Sequence, residues 1–252
     1  MITVKNIYDF LNSEAPFSNQ MDWDNSGMLV GSFDKPVSKI AVMLDVTNEN
    51  INKAAKRDVD LIVSHHPVIF RAIKAIDDDS EVHNLIINDI SVISTHTPWD
   101  IAEHGVNAVL ASALNLVDVK PLWTEEGGNM IKAGRLTQTM SEGAFCNLIK
   151  ERLDIPFVKF IRTGKVIETV AVCGGAGGSM INEIPDSIDA FVTGEVSYHE
   201  FLVAKEKGLT AIEAGHFNTE NLSMDYLASL IANEYPELTV MSLRAVDPIS
   251  YK

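Results

Sequence analysis

Short aliphatic runs separated by amphipathic segments constrain this chain more than any other feature. "KIAVMLDV" (39–46), "LIVSHH" (61–66) and "ISVISTH" (90–96) carry the continuous apolar character of strands buried on both faces. Between them, "NENINKAAKRDV" (48–59) and the segment near 80–88 read as helices, and "GVNAVLASALNL" (105–116) is another. That rhythm is the βαβ pattern of a largely parallel sheet covered by helices. Proline, charge and Gly-Gly cluster at "KPLWTEEGGN" (120–129), which reads as a break, after which the pattern restarts. "NMIKAGRLTQ", "FVKFI", "TVAVCGG", "AFVTGE", "TAIEAGH" and "TVMSLR" are expected strands, and "SEGAFCNLIKERL", "EVSYHEFLVAKEKG" and Thr219 to Asn233 expected helices. The fold class is therefore α/β. Two α/β domains with mainly parallel sheets are expected, the second inserted in the first: 1–125 with 210–252, and 126–209.

With 252 residues, 46% of them hydrophobic, the chain can bury a substantial core. No apolar run is long enough to span a membrane, and "MITVKNIYDFLNSEAP" reads as an amphipathic helix rather than a secretion signal. Cys146 and Cys173 form neither a disulfide framework nor a CxxC pair, which fits a reducing cytoplasm. Acidic residues outnumber Lys and Arg by 35 to 20, giving a net charge of −15. Affinity for nucleic acid rests mainly on cationic contacts to phosphate, so that balance argues against a nucleic-acid partner.

One event recurs at three strand ends: an aliphatic run stops at potential metal ligands. "LIVS" is followed by His65 and His66, then Pro67, which cannot continue a ladder. "ISVIST" is followed by His96 and, four residues on, Asp100; "TAIEAG" by His216 and, four residues on, Glu220. In open parallel sheets the ligand crevice lies beyond the carboxyl ends of the strands, so such residues can face one crevice. Imidazoles combined with carboxylates suit zinc, iron or manganese better than calcium. The alternatives are local: Asp100 as a cap for the helix near 105, Glu220 as a charge at its own helix start, and His216 as a hydrogen-bonded core histidine. His96 fits a residue that orients ligands or faces substrate. Glu195 and His199 in "TGEVSYHE" are candidate substrate-facing residues, or else a helix-start glutamate and a surface histidine. "CGGAGGS" (173–179) reads either as an anion-cradling loop or as a tight strand-to-helix turn.

"WDNSGMLVG", "SHHP", "THTPWDIAEHGVNAVLA", "FVTGEVSYHE" and "EAGHFNTE", in that order and spacing, resemble the Nif-three-like family, the GTP cyclohydrolase 1 type 2 homologs. The resemblance spans nearly the whole chain and matches the short form, which has no extra inserted domain. It implies two divalent metal ions per chain (Zn, Fe or Mn), held by His65, His66, Asp100, His216 and Glu220. It also implies two α/β domains, with the carboxyl-terminal segment returning to the first, and a toroidal hexamer whose metal sites face an interior cavity. Trp99 stands where the family usually has a smaller aliphatic residue and is expected to narrow the pocket. The expected activity is metal-dependent hydrolysis of a small anionic substrate, phosphorylated or nucleotide-like, with Glu220 and His96 as catalytic residues. The alternative is a non-enzymatic metal-binding ring acting as metallochaperone, chaperone or regulatory partner. Type I cyclohydrolases use one zinc held by cysteine and histidine, and neither cysteine here has that neighbourhood.

Overall fold

A computed structural model describes residues 1–125, 127–243 and 245–250. In chain order it contains α1 (Val4–Glu14), β1 (Gly27–Val30), β2 (Lys39–Met43), α2 (Asn48–Ala55), β3 (Leu61–Ser64), α3 (Glu81–Ile87), β4 (Ser91–Ser94) and α4 (Thr97–Ile101). Then come α5 (Val106–Ala113), β5 (Val117–Thr124), β6 (Gly128–Ser141), α6 (Glu142–Leu153), β7 (Lys159–Phe160) and β8 (Val166–Cys173). The rest is β9 (Ala190–Thr193), α7 (Tyr198–Lys207), β10 (Thr210–Glu213), α8 (His216–Glu220), α9 (Leu222–Glu234) and β11 (Thr239–Ser242). The chain is α/β, with two sheets covered by helices. It forms two compact units, one of Met1–Trp99 together with the chain from Met224 onward, the other Asp100–Ser223.

Local chemistry sets the helix starts. The hydroxyls of Thr47, Ser80, Ser141 and Ser197 accept hydrogen bonds from the third residue beyond, capping α2, α3, α6 and α7. Ser197 and Glu200 complete a reciprocal capping box, and Gly208 ends α7 in the left-handed conformation.

In the first unit the sheet order is β1-β4-β3-β2-β11. All neighbours are parallel except the edge strand β1, which runs antiparallel to β4. β3 and β4 are buried along their whole length, as their uninterrupted apolar character requires. Ala41, Met43, Ile62 and Val92 pack on one face with Ile51 and Ala54 of α2 and Leu85 of α3.

The second unit's sheet runs β5-β6-β8-β9-β10-β7. β8, β9 and β10 are parallel, and the outer pairings are antiparallel. Side chains alternate faces along β8: Val170 and Val172 meet Phe145 and Ile149 of α6, while Ala171 and Cys173 pack with Met180 and Ile181. The expected break at 120–129 is largely a hairpin of β5 and β6, with Leu122 paired to Ile131. Its Glu126 lies outside the described residues, as does Arg244 of the expected last strand. Strand 210–213, expected with the first domain, instead joins the second sheet beside β9. The helix expected over Thr219–Asn233 is two helices, α8 and α9.

Candidate metal-binding and catalytic residues

Parallel register explains the first cluster. β3 and β4 pair from Leu61↔Ser91 to Ser64↔Ser94, so the residues just past each strand emerge side by side. The His65 and His66 amides extend the ladder to the carbonyls of Met43 and Leu44, and the Thr95 amide donates to Ser64. His65, His66 and His96 thereby converge, each offering one ring nitrogen within 4.8 Å of the others. Their ring centroids stand 5.0 to 5.5 Å apart. His65 is fully buried.

The second unit repeats the device. β9 and β10 pair in register up to Thr193↔Glu213, and the Gly215 amide donates to Gly194. That brings Glu195, just past β9, against His216, which opens α8. His216 Nε2 lies 3.1 Å from Glu220 Oε2, and both Asp100 and Glu220 are buried. These two carboxylates also bear on the enclosed Cys173: burial, then the fields of Asp100 and Glu220, raise its thiol well above the ordinary value. Cys146 is pushed up to about 11, by burial first and Glu142 second. Neither thiol is poised as a nucleophile.

All four of these histidines are oriented in the same way. Nδ1 of His65 donates to the Thr95 carbonyl (3.1 Å), and that of His66 to Asp45 Oδ1 (2.7 Å). Nδ1 of His96 donates to Asp24 Oδ1 (2.9 Å), and that of His216 to Glu195 Oε1 (2.6 Å). A carbonyl or carboxylate oxygen only accepts, so the hydrogen sits on Nδ1 in each case and, in the neutral ring, the lone pair on Nε2; the Nε2 of His216 also faces a carboxylate oxygen, Glu220 Oε2. An outer oxygen fixing the tautomer and tilt of an imidazole is the usual support of a metal-ligating histidine. The donor set present, imidazole Nε2 with buried carboxylates, fits a divalent transition ion.

Asp24 anchors the first cluster. It accepts from Ser26 Oγ (2.8 Å), Thr97 Oγ1 (2.6 Å) and the Thr97 amide (3.1 Å) in addition to His96. Burial alone would raise this carboxyl, but the hydrogen bonds from His96, Thr97 and Ser26 outweigh it and hold the group well below the usual range.

The glycine-rich loop serves the carboxylates rather than an anion. The Gly174 amide donates to Asn107 Oδ1, that of Gly175 to Thr219 Oγ1, and that of Gly177 to Thr193 Oγ1, so these three donors are already engaged. The loop runs on into a 3-10 turn, Gly177–Glu183, not an α-helix start. Gly175 has φ +65°, and a Cβ there would stand 2.1 Å from Glu220 Oε1 and 3.3 Å from His216 Nε2. Absent side chains let the loop close on both residues. Fully buried Asn107 ties the assembly together: Nδ2 donates to the carbonyls of Asp100 (3.1 Å) and Met130 (2.6 Å) while Oδ1 holds Gly174.

Placement of the other expected residues is mixed. Asp100 does not cap the next helix, whose N-cap is Gly105 with no side-chain cap bond. Glu195 supports His216. His199 is exposed, with its ring edge-on to Tyr198. Trp99 is buried and stacked on Tyr226 at 6.4 Å, so its bulk enters the core rather than a pocket wall. Asp24, Asp45 and Asn107 escape sequence reasoning. Asp45 carried a usable signal, since it ends the run "KIAVMLD" just as the histidines end theirs.

The sequence pattern of the Duf34/NIF3 family (NGG1p interacting factor 3) matches residues 2–248. A relative from Campylobacter jejuni, named GTP cyclohydrolase 1 type 2 homolog, is 31% identical over 90% of this chain and 91% of its own. Among solved structures, Staphylococcus aureus hypothetical protein SA1388 superposes with TM-score 0.90 and 24% identity, covering 99% of both chains. Reduced HcgD from Methanocaldococcus jannaschii gives TM-score 0.84 and 28% identity, over 96% of this chain and 98% of that one.

Proposed function

The chain belongs to the Duf34/NIF3 family, and from that premise we propose that it is a dinuclear metal-dependent hydrolase of a small phosphorylated or nucleotide-like compound. In this reading His65, His66, Asp100, His216 and Glu220 are the ligands. One observation carries it: Nδ1 of each histidine ligand, His65, His66 and His216, is held by an oxygen, the usual support of an imidazole that coordinates through Nε2. Bound divalent ions would supply a water activated at neutral pH and polarise the bond to be cleaved. The chain's own residues then divide the remaining work. Asp24 holds His96 in the tautomer with its lone pair on Nε2, where it accepts a hydrogen bond from the substrate or its attacking water. Beside helping to hold the metal, Glu220 would be the carboxylate placed to accept a proton in the site, and Glu195 and Asp45 keep His216 and His66 from rotating.

The test is elemental analysis of untagged protein purified without chelator, beside a His216→Ala/Glu220→Ala variant, and then a nucleotide and phosphoester panel with Mn²⁺, Zn²⁺ or Fe²⁺. About two ions per chain, absent from the variant, are expected, with turnover that disappears in Glu220→Ala. Wild-type protein that carries no metal and takes up none would overturn the centre; metal without turnover would overturn the hydrolase.

A further inference from the structure

Two aromatic rings stand beside the histidine cluster without being buried. Trp23 is 53% exposed and Phe70 45%. Their centroids lie 5.7 and 6.2 Å from the His96 ring and 6.1 Å from each other. Large aromatic side chains stabilise a fold when withdrawn from water, so leaving two exposed at one place gives up that contribution. Their loops are nonetheless fixed. Asn25 Nδ2 donates to the Ile69 carbonyl (2.5 Å), joining the segment that carries Trp23 to the one that carries Phe70. The Met21 amide donates to Thr97 Oγ1, the Ser26 amide to Gln20 Oε1, and Asp24 is held by Ser26, Thr97 and His96. Rings presented by a hydrogen-bonded frame, at the edge of the imidazoles, are preorganised for a flat partner.

We propose that Trp23 and Phe70, whose rings are tilted 55° to each other, form an aromatic corner that takes a planar heteroaromatic ring of the substrate, face against one ring and edge toward the other, with the group to be hydrolysed lying toward His65, His66 and His96. The proposal deepens the hydrolase reading and rests on it for the location of the chemistry. A heteroaromatic ring is the fitting occupant because it offers both a π-face to stack and an electron-poor edge, one for each of two tilted rings, whereas a sugar offers only its C–H face and an aliphatic chain only dispersion.

The experiment compares two probes, adenosine 5′-monophosphate and ribose 5-phosphate, by equilibrium dialysis against full-length protein loaded with Mn²⁺. The nucleotide is expected to bind about tenfold or more tightly than the sugar phosphate, the scale of one base stacked on an aromatic side chain. In Trp23→Leu/Phe70→Leu that preference is expected to vanish, with ribose 5-phosphate affinity, bound metal and oligomeric mass unchanged. Equal affinity for both probes in the wild type, absence of binding by either, or a preference that survives the double substitution overturns the aromatic corner. So does a variant that loses metal or changes mass, because the rings would then serve the fold or a contact with a second copy. Nucleotide preference without turnover would sink the hydrolase and leave the aromatic corner standing.

Discussion

Asn107 carries no charge, yet three backbone segments depend on it. Replacement by leucine leaves the Gly174 amide and the Asp100 and Met130 carbonyls without this partner, around a side chain that is itself fully buried. Asn107→Leu is expected to lower stability by about 2–4 kcal/mol, given roughly 1–3 kcal/mol for each buried group left unsatisfied; urea unfolding measures it. Gly175→Ala should act differently. Its methyl meets the Glu220 carboxylate and sits on a backbone that L-residues rarely adopt, so metal affinity is expected to fall at least about tenfold while far-UV circular dichroism stays native. The histidines were legible because they end strands, and Asp100 and Glu220 because each follows one of them by four residues, a purely local signal. Asp24 and Asn107 were not. Asp24 meets a histidine 72 positions away, and Asn107 a glycine 67 away, and no local periodicity encodes such separations.

Strand by strand, the two units solve one problem twice. Asp60 precedes β3 and accepts from the Ser38 and Lys39 amides; Asp189 precedes β9 and accepts from the Glu168 and Thr169 amides. Each carboxylate pins the neighbouring parallel strand at its entry, and the next two strand exits deliver the chemistry. Burial pushes both groups upward, but the backbone hydrogen bonds win and hold both below the usual carboxylate value. A depressed folded value stabilises fully above the unfolded one, about pH 4, and that stabilisation is lost as pH falls through the folded value. Asp189→Asn is therefore expected to be less stable than wild type by about 1–2 kcal/mol at pH 7. The gap in urea midpoints should narrow steadily below about pH 4; a gap independent of pH would refute the assignment. The buried parallel strands were readable from continuous apolar runs. The antiparallel β5–β6 hairpin was not, because Pro121 and Gly127-Gly128 mimic a linker when their pairing partners are unknown. Pairing also decided the fate of 210–213: its residues suit either sheet, and only register with β9 selects one.

At the scale of the whole molecule, charge and apolar surface pull in opposite directions. A net charge of −15 makes copies repel, while Ile86, Ile87, Trp123, Val166 and Tyr198 remain more than half exposed, as interaction surfaces often are. Salt decides the balance, since at about 0.15 M charges further apart than roughly 8 Å are largely screened. We propose the toroidal hexamer that the family resemblance implies. Multi-angle light scattering at that ionic strength should give about six chains, with dissociation favoured at low salt; a monomer at every salt concentration would refute it. The pairing of β11 with β2, Thr239↔Lys39 to Ser242↔Val42, carries a different consequence. A ribosome delivers the first unit's opening strands about two hundred residues before the one that completes their sheet, whereas the second unit is made in one uninterrupted stretch. Through that interval the nascent β2 offers a bare ladder of amides and carbonyls to any passing strand. A chain stopped short of residue 239 would keep that edge open for good, and would be a substrate for chaperones and proteases before it could be anything else.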